Sequence, residues 1–272
     1  MQLCASFRKE AGRVWKQMKE SSRLGLALSE ETITETCLYN IARQHQSGNI
    51  TVIPATKPQE AKHGADWEWW FTRNGKGVGY RVQAKRLFPS GRYESLFKKG
   101  RPLGQLKKLV SAAKSDGLDP LYCFFNFDFP PNGFYGFHNN CRHDYRGPSF
   151  WGCTIALPHD VELMAADGID KLRTIMSPWH SLVCHRPKLS LPDTVMKNVQ
   201  DLARPRIGGS GARKTSIEVT TSARVLPGYV GRLIERAASV EETRRFLDFD
   251  YWGDEPSSGR NIAGVVVVDD RS

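Results

Sequence analysis

The sequence predicts an α/β sandwich around a central mixed sheet, and three observations carry that prediction. Helical and strand patterns alternate from residue 6 to residue 166. Asn74-Gly75 is a strong hairpin signal between two aromatic-rich strands, "ADWEWWF" and "GYRVQAKRL". "PLYCFFNF" at 120–127 is a nearly continuous apolar run, as a strand buried on both faces requires.

Taken in order, residues 6–19 read as a helix, with Phe7, Ala11, Val14, Trp15 and Met18 on one face. Ser29 reads as the N-cap of a second helix, "EETITETCLYNIARQH", whose first turn is acidic. "NITVIPAT" is a short β-branched strand ended by Pro54, and the two hairpin strands follow. "LGQLKKLVSAAK" (103–114) is a helix that crosses over to the 120–127 strand. "SFWGCTIAL" is a further strand, and "PHDVELMAA" starts another helix. The first three strands are expected to form a meander.

Four segments follow from this reading. Residues 1–28 form an N-terminal helix, and 29–203 form the core with its extension. The glycine-rich, basic stretch 204–227 reads as a flexible linker or loop. Residues 228–272 supply a C-terminal helix and a tail, "NIAGVVVVDDRS", whose valines add an edge strand or pack on the core.

The formal charge of +10 over 272 residues points to a polyanionic partner, nucleic acid before a membrane surface. No apolar run is long enough to span a bilayer. "MQLCASFRKEAGRVWKQMKE" lacks a signal-peptide core, so a cytoplasmic location is expected. Six scattered cysteines without a C-x-x-C pair read as reduced core residues.

The chemistry concentrates in the hairpin. With a two-residue turn at 74–75, opposed residues sum to 149. Asp66 then faces Gln83, and Gly64 faces Lys85, with neighbours about 5.5 Å apart. Asp66, Glu68 and Trp70 share a face with Arg81, Gln83 and Lys85. An acid, an amide oxygen and an ammonium therefore converge. Mg²⁺ takes one or two carboxylates and keeps waters or substrate phosphate. Asp66 would anchor such an ion, with the Gln83 side chain and the Ala84 carbonyl beside it. Lys85 would orient a water or stabilise charge on phosphate. Glu68 would take a second ion or pair with Arg81 across the strands.

Helix, strand, strand with Asp, strand with (Asp/Glu)-x-Lys, helix, strand resembles the PD-(D/E)XK nucleases, the restriction-endonuclease-like fold. "QAK" at 83–85 is similar to the Gln-x-Lys variant of Mrr-like restriction enzymes. "EETITE", "GADWEWWF" and "VQAKRL" together resemble an uncharacterised bacterial family carrying this core. The resemblance spans roughly residues 29–127. It implies an αβββαβ core and a Mg²⁺- or Mn²⁺-dependent nuclease acting on DNA, or on RNA. Bacterial anti-phage defence and a homodimer are what such folds commonly serve and form. It assigns Asp66 as metal ligand, Gln83 to the usual acid position and Lys85 as the catalytic lysine. A glutamate from the first core helix often joins them. Glu31 is the choice here, with Glu30 and Glu35 as competitors. Glutamine lacks the second negative charge, which also admits a catalytically inactive binding or interaction module on the same fold.

From Lys85 to Lys108, both included, there are eight basic residues and one acid, Glu94. Arg86, Arg92, Lys98, Lys99 and Arg101, mixed with Tyr93 and Phe97, suit phosphate and base contacts. Gln105 would reach the site or the backbone. His138, Cys141 and His143 are too irregular for zinc. "GGSG" lacks the remainder of a phosphate loop.

Overall fold

A computed structural model describes residues 3–46, 50–56, 66–94, 96–97, 104–128, 147–203, 219–237 and 264–271. The elements in chain order begin with α1 (Leu3–Arg23), α2 (Glu30–Gln44), β1 (Ile50–Thr56), β2 (Trp67–Arg73) and β3 (Lys76–Arg86). They continue with α3 (Gly104–Ser115), β4 (Asp119–Phe125), β5 (Cys153–Ala156), α4 (Pro158–Met164), α5 (Ile169–Leu172) and β6 (Ser177–Pro178). The last are α6 (Leu191–Ala203), β7 (Arg224–Val225), α7 (Gly228–Ala237) and β8 (Gly264–Asp270). One mixed sheet runs β1-β8-β2-β3-β4-β5-β6, with β7 on the far end of β3. The class is α/β, as the alternating patterns predict.

The hairpin forms as its sequence dictates. Asn74 and Gly75 both adopt positive φ, 50° and 72°, which matches the right-handed twist of the flanking strands. Pairing runs without a bulge from Arg73↔Lys76 to Trp67↔Val82, every pair summing to 149. Gly79 is needed where Trp70 crosses it: an added Cβ would sit 2.8 Å from the indole. Trp67, Trp69 and Phe71 are wholly buried; Phe7 of α1 packs on Trp69 with ring centroids 5.8 Å apart. Trp70 points to the other side, where its indole meets Tyr229 of α7.

Two expectations about the strands are corrected. β1 and β2 do not pair: β8 lies between them, antiparallel to β1 and parallel to β2. The tail therefore supplies an interior strand, not an edge. Val265 to Val268 are buried, as a strand paired on both sides and covered on both faces must be. α1 contributes Leu3, Phe7, Val14 and Met18 to the common core. Its backbone lies so close to Gly152 that a Cβ there would meet the Ala11 carbonyl at 1.9 Å. Residues 219–227, expected as linker, are tied down: Thr220 N–H donates to Asp119 at 2.9 Å, and β7 pairs with Lys76 and Gly77. Residues 204–218 lie outside the described residues. "SFWG" winds into a 3-10 turn at Pro148–Trp151 before β5 begins.

Candidate active site

Ser29 caps α2 through its hydroxyl, which accepts the Thr32 N–H at 3.0 Å. That cap makes Glu30 the first helical residue and sets it at the C-terminal end of β3. One Glu30 oxygen accepts the Arg86 N–H at 3.0 Å, and the other lies 3.7 Å from Lys85 Nζ. Glu30 therefore occupies the position expected of Glu31. Glu31 is exposed, and its charge reaches the site only through space. Glu35 is also exposed.

Asp66 precedes the first residue of β2. Its N–H donates to the Val82 carbonyl at 2.9 Å, and its carboxylate accepts the Ala84 N–H. Burial pushes its pKa up to about 6. The Ala84 bond and Lys85 pull it down, and the charges of Glu30 and Glu31 raise it further. An acid placed among other acids and shielded from water is poised for a cation.

Gln83 and Lys85 are buried, 1% and 3% exposed. A lysine so enclosed needs a partner, and Glu30 supplies one. The Gln83 side-chain oxygen has no hydrogen-bond partner. A buried amide oxygen without a donor costs about 1–3 kcal/mol, and a bound ion would remove that cost. Asp66, the Gln83 oxygen and Glu30 are the groups here that could offer oxygen to a hard cation. Among the described residues, no three acidic, histidine or cysteine side chains cluster as a ready metal cage. The amide oxygen and substrate phosphate would have to complete the coordination.

Glu68 does not belong to this set. It is 0% exposed and fully engaged. Arg81 reaches it at 2.7 Å, the Tyr229 hydroxyl at 2.6 Å and the Trp70 indole at 3.2 Å. Arg81 also reaches Asp116 at 2.6 Å. Of the two roles expected for Glu68, the structure realises the cross-strand pair. A second ion would have to displace an arginine. Tyr229 lies 161 residues away from Glu68, so only the fold brings them together. No local pattern announces it.

The expected nucleic-acid residues divide. Arg86 stacks over Phe88 at 3.8 Å beside the site. Arg92 is exposed but paired with Asp167 at 2.8 Å. Gln105 is exposed on α3. Tyr93, expected to stack on bases, is core: it is buried, and its hydroxyl donates to Asn126. Phe97 is packed against the core. Lys98, Lys99 and Arg101 lie outside the described residues, as do Gly64, His138, Cys141 and His143.

A family model matches residues 3–272, from α1 to beyond β8. The chain belongs to DUF6615, a family of unknown function. No curated protein and no solved structure matches it. The match runs through both the hairpin and β8, so the C-terminal strand belongs to the family's own unit. Among the described residues, no helix is long and apolar enough to cross a membrane.

Proposed function

We propose that this protein is a metal-dependent nuclease with a restriction-endonuclease-like core, acting on DNA. The observation that carries the reading is the Asp66–Gln83–Lys85 cluster. It is a carboxylate with raised pKa, an amide oxygen left without a donor and a buried lysine, joined by Glu30 at one strand end. The order α2-β1-β2-β3-α3-β4 supports the nuclease core, although β8 enters that sheet between β1 and β2.

Asp66 and the Gln83 oxygen would hold Mg²⁺ or Mn²⁺, with Glu30 as the nearest further carboxylate. A bound divalent cation supplies Lewis acidity toward a phosphoryl oxygen and an acidified water. Lys85 Nζ is held by Glu30 at the same end of β3. There it can donate to a non-bridging phosphate oxygen as negative charge builds, or fix the attacking water. Water adds to phosphorus as the ester oxygen leaves, giving a phosphate monoester and an alcohol. Arg86, next in the chain, would ground the adjoining phosphate. The setting would be defence against foreign DNA, as is common for such folds.

The test is cleavage of supercoiled plasmid with Mg²⁺ or Mn²⁺ by the parent, Asp66→Ala and Lys85→Ala. Metal-dependent cutting lost in both variants is the expected result. Cutting that survives both would sink the assignment. A second reading, a catalytically silent nucleic-acid-binding module, is favoured by the lack of a three-ligand cage among the described residues. It predicts no cutting by the parent and equal DNA binding by all three proteins.

A further inference from the structure

We infer that the outer face of α1 is a binding track for the phosphate backbone of duplex DNA, leading to the candidate active site. The inference rests on the nuclease reading for its partner and on α1 itself for its geometry. α1 carries six basic residues, Arg8, Lys9, Arg13, Lys16, Lys19 and Arg23, against two acids, Glu10 and Glu20. Glu10 is buried and already bonded to Arg13. The solvent face is therefore a cationic stripe.

Three adjoining grooves follow that stripe. The first, about 570 Å³, is lined by Arg8, Lys9, Arg13, Lys16 and Phe150, with Ala5 and Gly12 as a floor of small residues. It contains no acid. Arg8 lies over the Phe150 ring at 5.7 Å, and its Nε–H has no hydrogen-bond partner. The second groove, about 510 Å³, shares Lys16 and adds Lys19 and Arg23. Its acids, Asp128 and Glu20, are held in exposed ion pairs with those same two cations. Such pairs are worth little, so a phosphate can displace them at small cost. The third groove is mostly apolar; it shares Ser22 and Phe127 with the second, and its one cation is Arg86, the residue after Lys85. From Arg8 to Arg23 the helix rises about 22 Å, long enough to present its cations to several phosphates of a duplex.

A rigid, straight row of cations suits a stiff duplex. A membrane surface is disfavoured, because the apolar face of α1 is spent in the core: Phe7, Ala11 and Val14 are almost wholly buried. The sequence places basic residues in the stretch after β3. The fold adds this second set, 60 to 80 residues earlier, beside the same strand end.

The experiment is anisotropy of a labelled 25-base-pair duplex against salt concentration, in EDTA and in an Asp66→Ala background. The proteins are the Asp66→Ala parent, a Lys9→Gln/Lys16→Gln variant and a Lys171→Gln/Lys188→Gln control. All four lysines are exposed, and the control removes equal charge elsewhere. The track variant is expected to lose about 0.9 from the salt slope per cation, so about 1.8, and some tens of fold in affinity at 0.1 M salt. The control should move far less. Equal losses in variant and control, or no change in the slope, would overturn the track. Loss on an RNA duplex alone, or on anionic vesicles alone, would overturn the DNA assignment. Because no cleavage is read, a protein that binds in this way but never cuts would sink the nuclease reading and leave the track standing.

Discussion

Two pairs of residues on the same hairpin meet opposite fates. Glu68 and Arg81 face each other across β2 and β3; Asp66, one residue before β2, gives its N–H to Val82 and takes the Ala84 N–H, on either side of Gln83. The first pair is largely sealed: Trp70, Tyr229 and Asp116 close around it, although the Arg81 Nε keeps no hydrogen-bond partner. The second is open: the Gln83 oxygen lacks a donor, and Asp66 resists ionising. The difference comes from what covers each pair. α7 brings a hydroxyl over Glu68, whereas the N-terminus of α2 brings only another acid toward Asp66. Register decides which residues meet. The covering helix decides whether they serve folding or chemistry.

The comparison breaks if the two acids exchange roles. Asp66→Ala should lower plasmid cleavage by at least about 10³-fold, since the cation's contribution to charge stabilisation goes with it. Its thermal midpoint should hold. Glu68→Ala should do the reverse, costing about 3 kcal/mol of stability by leaving the buried Arg81 with Asp116 as its one carboxylate partner. Calorimetry of both variants beside the cleavage assay checks this. A folded, inactive Glu68→Ala would overturn the division. Lys85→Met should cost about 10²–10³-fold in rate, read in single turnover with saturating Mg²⁺.

Finer tests sharpen the contrast. Glu68→Leu combined with Arg81→Met should recover much of the stability that either change alone loses, because both fully buried charges go together and only the partly exposed Asp116 loses Arg81. Cation affinity should fall about tenfold between pH 7 and pH 5, since Asp66, with its pKa of about 6, must lose its proton to bind. Titration of Mn²⁺ at the two pH values measures that. Stability runs the other way. The raised pKa favours the folded, protonated form, so the Asp66 contribution is greatest below the ordinary carboxylate range and is lost as pH rises through about 6. Asp66→Asn should accordingly raise the thermal midpoint at pH 7.5 by a few degrees and change little at pH 4, a small effect that scanning calorimetry resolves.

Much of this was legible in the chain. Asn74-Gly75 fixed the turn, and the turn fixed the register from Arg73↔Lys76 to Trp67↔Val82, including the pairing of Glu68 with Arg81. Ser29 fixed the start of α2 and, through it, which glutamate reaches Lys85. Of the three glutamates the sequence offers, Glu30 is the one beside Lys85, because the first helical residue lies nearest the strand end. The place of β8 was not legible, because four valines look alike on an edge and in an interior. Nor was Tyr229, whose bond to Glu68 depends on how α7 is docked. The stripe on α1 was legible as charge. Its position beside β3 needed the fold.

The interior place of β8 also governs when the protein can exist. Val268 pairs with Val52, and Val267 lies beside Trp70, so the sheet cannot close until residue 270 has left the ribosome. At about 5–20 residues per second, β1 and β2 would wait roughly 10–40 s for their shared neighbour. Through that interval Asp66 and Lys85 lie on an unfinished platform. The nascent chain therefore carries the residues of the candidate site without a rigid frame, and translation itself delays the moment at which that site can be assembled.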